Sequence, residues 1–308
     1  MTASHEPAFD APADGAPDGP PDGAENAAEN AASALVQVAT LHSITRLAPE
    51  HAGQVVVAAS HGGVYAGFCA AQGRVRAVIF NDAGVGREGA GIGSLAWLDR
   101  LGIAAATADS LSCRIGDGDD MFAGGIVSFV NDTAAALGCA AGQTVARCSA
   151  LLRSAAWSAR PVPPLAESRH VVRAAGKEPA VVVLDSVSLV GPADAGAIVV
   201  TASHGGLLGG DPASAIKVAA LAAVYCDAGF GKDGAGVSRL PALDRRAIAA
   251  ATVSARSARI GDGRSVFADG IVSCVNATAA NAGVEVGDRV RDFVDKITAA
   301  GHQRIDAR

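Results

Sequence analysis

Aromatic residues make up only 4% of the 308-residue chain, with two tryptophans and two tyrosines. Surfaces for stacking bases are therefore few, and the core must be built from Ala, Val, Leu and Ile. Charge is also sparse, at 18% Asp, Glu, Lys and Arg. No CxxC pair and no metal-ligand spacing occurs among Cys69, Cys113, Cys139, Cys148, Cys226 and Cys274, which reads as free thiols in a reducing compartment. No apolar run approaches the eighteen or so residues of a membrane span. "IKVAALAAVYCDAGF" is interrupted by Lys217 and Asp227. The start of the chain lacks the basic and apolar stretches of a signal peptide, so a cytoplasmic protein is expected.

The net charge of -6 is unevenly placed. Residues 1–33 hold seven acidic residues and no Lys or Arg, leaving 24 of the 31 acids against 25 basic residues elsewhere. A balanced core speaks against a nucleic-acid groove or a membrane-binding face. The Ala-, Pro-, Asp- and Gly-rich tail has almost nothing to bury and is expected to be disordered.

What the chain does have is a long internal match. "FNDAGVGREGAGIGSLAWLDRLGIAAATADSLSCRIGDGDDMFAGGIVSFVNDTAAALG" (80–138) aligns with "YCDAGFGKDGAGVSRLPALDRRAIAAATVSARSARIGDGRSVFADGIVSCVNATAANAG" (225–283). Upstream, the pentapeptide ASHGG occurs at 59–63 and 202–206. A match of this length is read as two homologous units. The domain reading is a tail (1–33), a first unit (34–150), a linker (151–178), a second unit (179–298) and a C-terminal tail (299–308). Strands of unbroken Ala, Val and Ile alternate with amphipathic stretches in both units. That pattern predicts an α/β fold: two tandem units, each with a mainly parallel sheet of about four strands, packed with pseudo-twofold symmetry. A helix is predicted after each ASHGG, and "GIVSFVN" and "GIVSCVN" are read as helical, with Ser128 and Asn131, and Ser273 and Asn276, on one face.

The polar motifs all follow strands, so they are expected along the carboxyl edge of the sheet, where open α/β sheets bind ligands. His61 and His204 are candidate general bases, and the amides of Gly62, Gly63, Gly205 and Gly206 candidate anion or oxyanion donors. The alternative is a histidine bonded within the core beside a serine cap. Asp82 and Asp227 could orient the histidine, ligate a metal or act as bases, or simply cap their glycine turns. Arg114 and Arg259 suit an anion clamp, with Asp117 and Asp262 beside them, or Arg–Asp pairs bracing a turn.

The turns Gly84–Gly86–Gly89 and Gly229–Gly231–Gly234 fit GxGxxG, the pattern of a dinucleotide phosphate loop. The acid expected about twenty residues on is matched by Asp109 in the first unit but replaced by Ser254 in the second. The favoured reading is an enzyme on a small anionic metabolite, a hydrolase or lyase using a histidine base. A nucleotide- or phosphate-binding module and a non-catalytic structural or regulatory protein are the alternatives. No cofactor is required by these motifs; a divalent metal or a nucleotide remains open. The expected partner is a small-molecule ligand, with no nucleic acid and no membrane, and homo-oligomerisation is left open.

Overall fold

The computed structural model describes residues 36–306, with side chains described up to Gly301. The acidic tail at 1–33 lies outside the described residues. The first unit carries β1 (Val38–Leu41), β2 (Val55–His61), β3 (Ala77–Asn81), β4 (Ala104–Ala108) and β5 (Val127–Val130) in one sheet, in chain order. The second carries β6 (Arg169–Arg173), β7 (Val181–Leu184), β8 (Ile198–His204), β9 (Ala222–Cys226), β10 (Ala249–Val253) and β11 (Val272–Val275), again in chain order. Within each sheet the four matched strands run parallel, and the last strand turns back antiparallel. The fold is thus α/β with two mainly parallel sheets, of five and six strands rather than four.

The apolar strands are explained by cover on both faces. In β2, Val55, Val57 and Ala59 pack with Met121 of α3 (Gly118–Gly124) and with Cys148 and Leu152 of α5 (Val145–Leu152). Val56 and Ala58 face the other way, against Ala66 and Ala70 of α1 (Val64–Gln72) and Leu95 and Leu98 of α2 (Ser94–Arg100). A short α4 (Asp132–Ala135) follows β5. The second unit repeats this plan with α6 (Arg239–Asp244), α7 (Gly263–Asp269), α8 (Ala277–Asn281) and α9 (Val290–Asp306), the last running through the segment read as a C-terminal tail. Among the described residues no helix is long and apolar enough to cross a membrane.

Three local expectations change. "VSFV" and "VSCV" form β5 and β11, not helices. Ser128 Oγ lies 3.1 Å from Thr107 Oγ across the β4–β5 pair. Asn131 closes the same corner: its Oδ1 accepts from Ala105 N and Ala134 N, and its Nδ2 donates to Ile103 O. Asn276 does the same for β10 and β11. A polar residue every third position signalled strand corners here, because each side chain has a backbone group to satisfy.

The segment read as a linker supplies a strand, since Arg169–Arg173 adds β6 to the edge of the second sheet, antiparallel to β7. Finally, only the first unit has a helix after ASHGG. In the second, "LLGGDPASAIK" runs as a loop around a 3-10 turn, Pro212–Ser214.

The two units meet carboxyl rim to carboxyl rim. Ala83, Ile115, Cys226, Ala228, Ala235, Ala255 and Ile260 form a small apolar core between them. The contacts are reciprocal, as a twofold relation requires. Arg87 N donates to Ala255 O at 2.7 Å, and its counterpart Lys232 N donates to Ser110 O at 2.8 Å.

Candidate functional site

Rim-to-rim packing decides the fate of the glycine motifs. In an open sheet a crevice forms where strand order reverses, but here the order never reverses. The rims instead border a cleft between the units. The GxGxxG turns face each other across the junction of the units, with Gly84 and Gly229 exposed and Gly86, Gly89, Gly231 and Gly234 half-buried. A Cβ added at Gly84 would stand 3.0 Å from Gly229 Cα, and one at Gly86 would stand 3.1 Å from Ala255 O. Gly231 stands equally close to Ser110 O. Their amides are engaged too: Gly84 N donates to Asp82 Oδ1, Gly86 N to Gly84 O and Gly89 N to Gly86 O. Gly229, Gly231 and Gly234 repeat the pattern. The turns are therefore not a phosphate cradle, because the glycine amides that would hold the phosphate already donate within the protein. Their left-handed backbone extends to non-glycine residues, with φ of 62° at Val85 and 63° at Phe230. Such strain persists only where packing over-determines it.

Asp82 and Asp227 serve the same turns. Asp82 Oδ1 accepts from Gly84 N (2.9 Å) and Ser110 N (3.0 Å), and Asp227 Oδ1 from Gly229 N and Ala255 N. Neither is bonded to a histidine, so the expected His–Asp pair is not assembled. Arg114 and Arg259 are each drawn into one ion pair within their own unit and one across the junction. Arg114 reaches Asp120 (2.8 Å) and Asp233 (2.6 Å), while Arg259 reaches Asp262 (2.8 Å) and Glu88 (3.1 Å). Lys232–Asp120 and Arg87–Asp269 complete the set. Asp117 and Asp262 cap α3 and α7 by accepting from Asp120 N and Ser265 N. The arginines thus brace the junction. Among the described residues no three His, Cys, Asp or Glu side chains gather as a metal site.

His61 and His204 have a different setting. Both line a cleft of about 380 Å3 between the units, within the usual range of small-molecule sites. Each ring is held by its own motif: Gly63 N donates to His61 Nδ1 at 3.1 Å, and Gly206 N to His204 Nδ1 at 3.2 Å. The remaining glycines complete the turn. Gly62 N donates to Asn81 O and Gly205 N to Cys226 O, and a Cβ at Gly62 would stand 2.7 Å from Gly91 O. These four amides are consequently spent and form no oxyanion hole.

An Nδ1 that accepts from an amide carries no proton, so the neutral imidazole holds its proton on Nε2. Burial lowers His61 to about 4 and His204 well below its usual value, the latter helped by the Arg239 and His61 charges. Both rings are neutral near pH 7. Among the described residues nothing hydrogen-bonds either Nε2. The histidines therefore present N–H donors rather than bases.

Ser60 does not cap α1, and no α-helix directly follows Ser203. Ser60 Oγ accepts from Ile44 N and Ser203 Oγ from Val187 N, each at 2.9 Å, fixing the 3-10 turns that form one wall of the cleft.

The rest of the lining was not found by matching the units, because it differs between them. Arg239 occupies the position of Ser94. In the first unit α1 packs directly over that site, and a Cβ at Gly67 would stand 2.8 Å from Ser94 Cβ. Where the second unit lacks the helix, the Arg239 side chain fills the space. It is 1% exposed, donates to Gly206 O (2.9 Å), Ala215 O (2.5 Å) and Ser214 O, and lies 5.1 Å from the Tyr225 ring. Among the described residues no carboxylate lies within 4.0 Å of its guanidinium as an ion-pair partner. Lys217 and Arg46 add two more cationic side chains to the lining, and Tyr65, Cys69 and Glu167 are also there. Only a comparison of what differs between the halves could have pointed to Arg239, and Glu167 in the linker has no counterpart at all.

Comparisons with family models, curated proteins and solved structures find no match to this chain.

Proposed function

We propose that the protein is an enzyme acting on a small anionic metabolite in the cleft between its two units, of the hydrolase or lyase type. One observation carries this reading: the neutral His61 and His204 rings, one from each unit and each without a hydrogen bond to Nε2 among the described residues, line a single cleft together with the buried Arg239, which has no carboxylate partner among those residues. A buried cation without a carboxylate is costly unless an anion compensates it. Apolar walls from Ile44, Val187, Leu208 and Ile216 would exclude water and strengthen that attraction. In this reading the histidines stabilise negative charge on the substrate and do not remove its proton. The matched halves support an origin by duplication, with the site made from both copies. Six unpaired cysteines support a reducing, cytoplasmic setting.

Isothermal titration with oxalate, pyruvate and inorganic phosphate tests the reading. Saturable binding of at least one anion, weakened at least tenfold by joint His61→Gln and His204→Gln substitution, is the expected result. Binding of none of them, or binding indifferent to both substitutions, overturns it.

A further inference from the structure

If the histidines are donors, the proton-transfer group must be another side chain of the cleft. Asp185 is committed, because its Oδ2 accepts from Ser168 N and Oγ and its Oδ1 from Gly263 N. Asp211 caps its own 3-10 turn through Ala213 N. Lys217 Nζ donates to Ser188 O. Cys69 is pushed up to about 11 and Tyr65 is raised, by burial first and then by the Glu167 charge, so both keep their protons. Arg46 and Arg239 are permanent cations.

Glu167 remains. It belongs to the segment joining the units and lines the cleft together with His61, His204, Tyr65, Cys69 and Val187. Burial, then the Asp185 charge, raise it to about 7 against the opposing pull of the Ser186 and Ser188 hydroxyls. A carboxyl that is about half ionised near neutral pH is suited to accept and return a proton.

Building on the anion-binding reading above, we propose that Glu167 is the catalytic base of this cleft and that the substrate class is a small carboxylate carrying a carbonyl group. The carbonyl oxygen lies between the two Nε2–H donors, and the carboxylate is held by the cationic side chains. Glu167 takes the proton from the carbon next to the carbonyl. The C–H electron pair becomes the C=C bond, and the carbonyl π pair moves to oxygen, giving an enolate held by His61 and His204. Return of the proton from Glu167 regenerates the ketone, so no oxidant or further reactant is needed. Pairing a neutral imidazole donor with a carboxylate base is an established solution to this proton transfer.

The test uses the full chain with two readouts. Oxalate, a planar mimic of an enolised oxo acid, reports binding by calorimetry. Exchange of the methyl protons of pyruvate and of the C2 protons of acetoacetate in D2O, followed by NMR, reports proton transfer. Wild type is expected to bind oxalate and to exchange at least one of the two, with oxalate competing. Glu167→Gln is expected to bind oxalate as well as wild type or more tightly, since a negative charge has gone, while exchange falls about 100-fold or more. Glu167→Asp, read alongside, is expected to keep a slow exchange and an unchanged Tm. Oxalate binding without exchange of either compound overturns this proposal and leaves the anion-binding reading standing. Undiminished exchange in Glu167→Gln does the same. Absence of binding by every anion tested overturns the earlier reading with it.

Discussion

Gly84 and Gly229 meet back to back at the junction of the two units, each so close that a Cβ on one would stand 3.0 Å from the Cα of the other. Both have positive φ, 70° and 73°. The contact explains why the glycines match between the halves without any ligand: each is the other's neighbour. Gly84→Ala is therefore expected to destabilise the protein by about 2–4 kcal/mol, from left-handed strain and overpacking together. Urea unfolding monitored by circular dichroism measures it. Gly138→Ala, at positive φ but with open space around it, is the control and should cost only about 1 kcal/mol.

The ion pairs that surround this contact are worth less than their number implies. Asp120 receives both Lys232 and Arg114, and its side chain is 14% exposed, whereas Glu88 and Asp233 are each 58% exposed. A double-mutant cycle on Asp120→Asn and Lys232→Met is expected to give a coupling of about 1 kcal/mol. The Glu88–Arg259 cycle should give a few tenths of a kcal/mol and vanish in high salt. Equal couplings would contradict this ranking by exposure.

Much of the fold was legible because burial imposes itself on sequence. Runs such as "VVVAA" (55–59) and "IAAA" (103–106) are apolar at every position, and the structure covers both sides of each. The internal match made the second sheet readable once the first was read. The site was less legible for a physical reason. Matched residues such as Asp82, Arg114 and Gly86 are conserved between the halves by the contact that joins them, so repetition pointed at the junction as strongly as at chemistry. Arg239 and Glu167 have no matching partner, and their environment depends on a helix present in one unit and absent in the other. Sequence could also not assign the histidine tautomer, which hangs on one amide bond from Gly63 or Gly206.

Acidification should separate the histidines from Glu167 by sign. His61 and His204 have folded values below the unfolded 6.5, so the unfolded chain binds their protons first and stability falls as pH drops from about 7 toward 4. Glu167 is raised from 4.5 to about 7, so its contribution is present below about 4.5 and is lost as pH rises through 7. Wild type, with two histidines against one carboxyl, is expected to lose stability between pH 7 and 5. The His61→Gln, His204→Gln double variant should instead gain stability over that interval. Thermal unfolding at pH 7, 6 and 5 distinguishes the two slopes, and Glu167→Gln should steepen the loss of the wild type.

Arg239 offers the sharpest separation of support from binding. Arg239→Met keeps much of the volume but leaves the carbonyls of Gly206, Ser214 and Ala215 without their donors, so a loss of about 2–4 kcal/mol is expected. Arg239→Lys keeps the charge yet cannot reach three carbonyls from one planar fork, and should fall between the two in stability. Anion affinity follows charge rather than geometry here: oxalate binding should drop at least tenfold in the methionine variant and only a few-fold in the lysine variant. If both variants bind oxalate as wild type does, the guanidinium is purely a replacement for the missing helix, filling beneath Tyr225 the space that α1 occupies over Ser94 in the first unit.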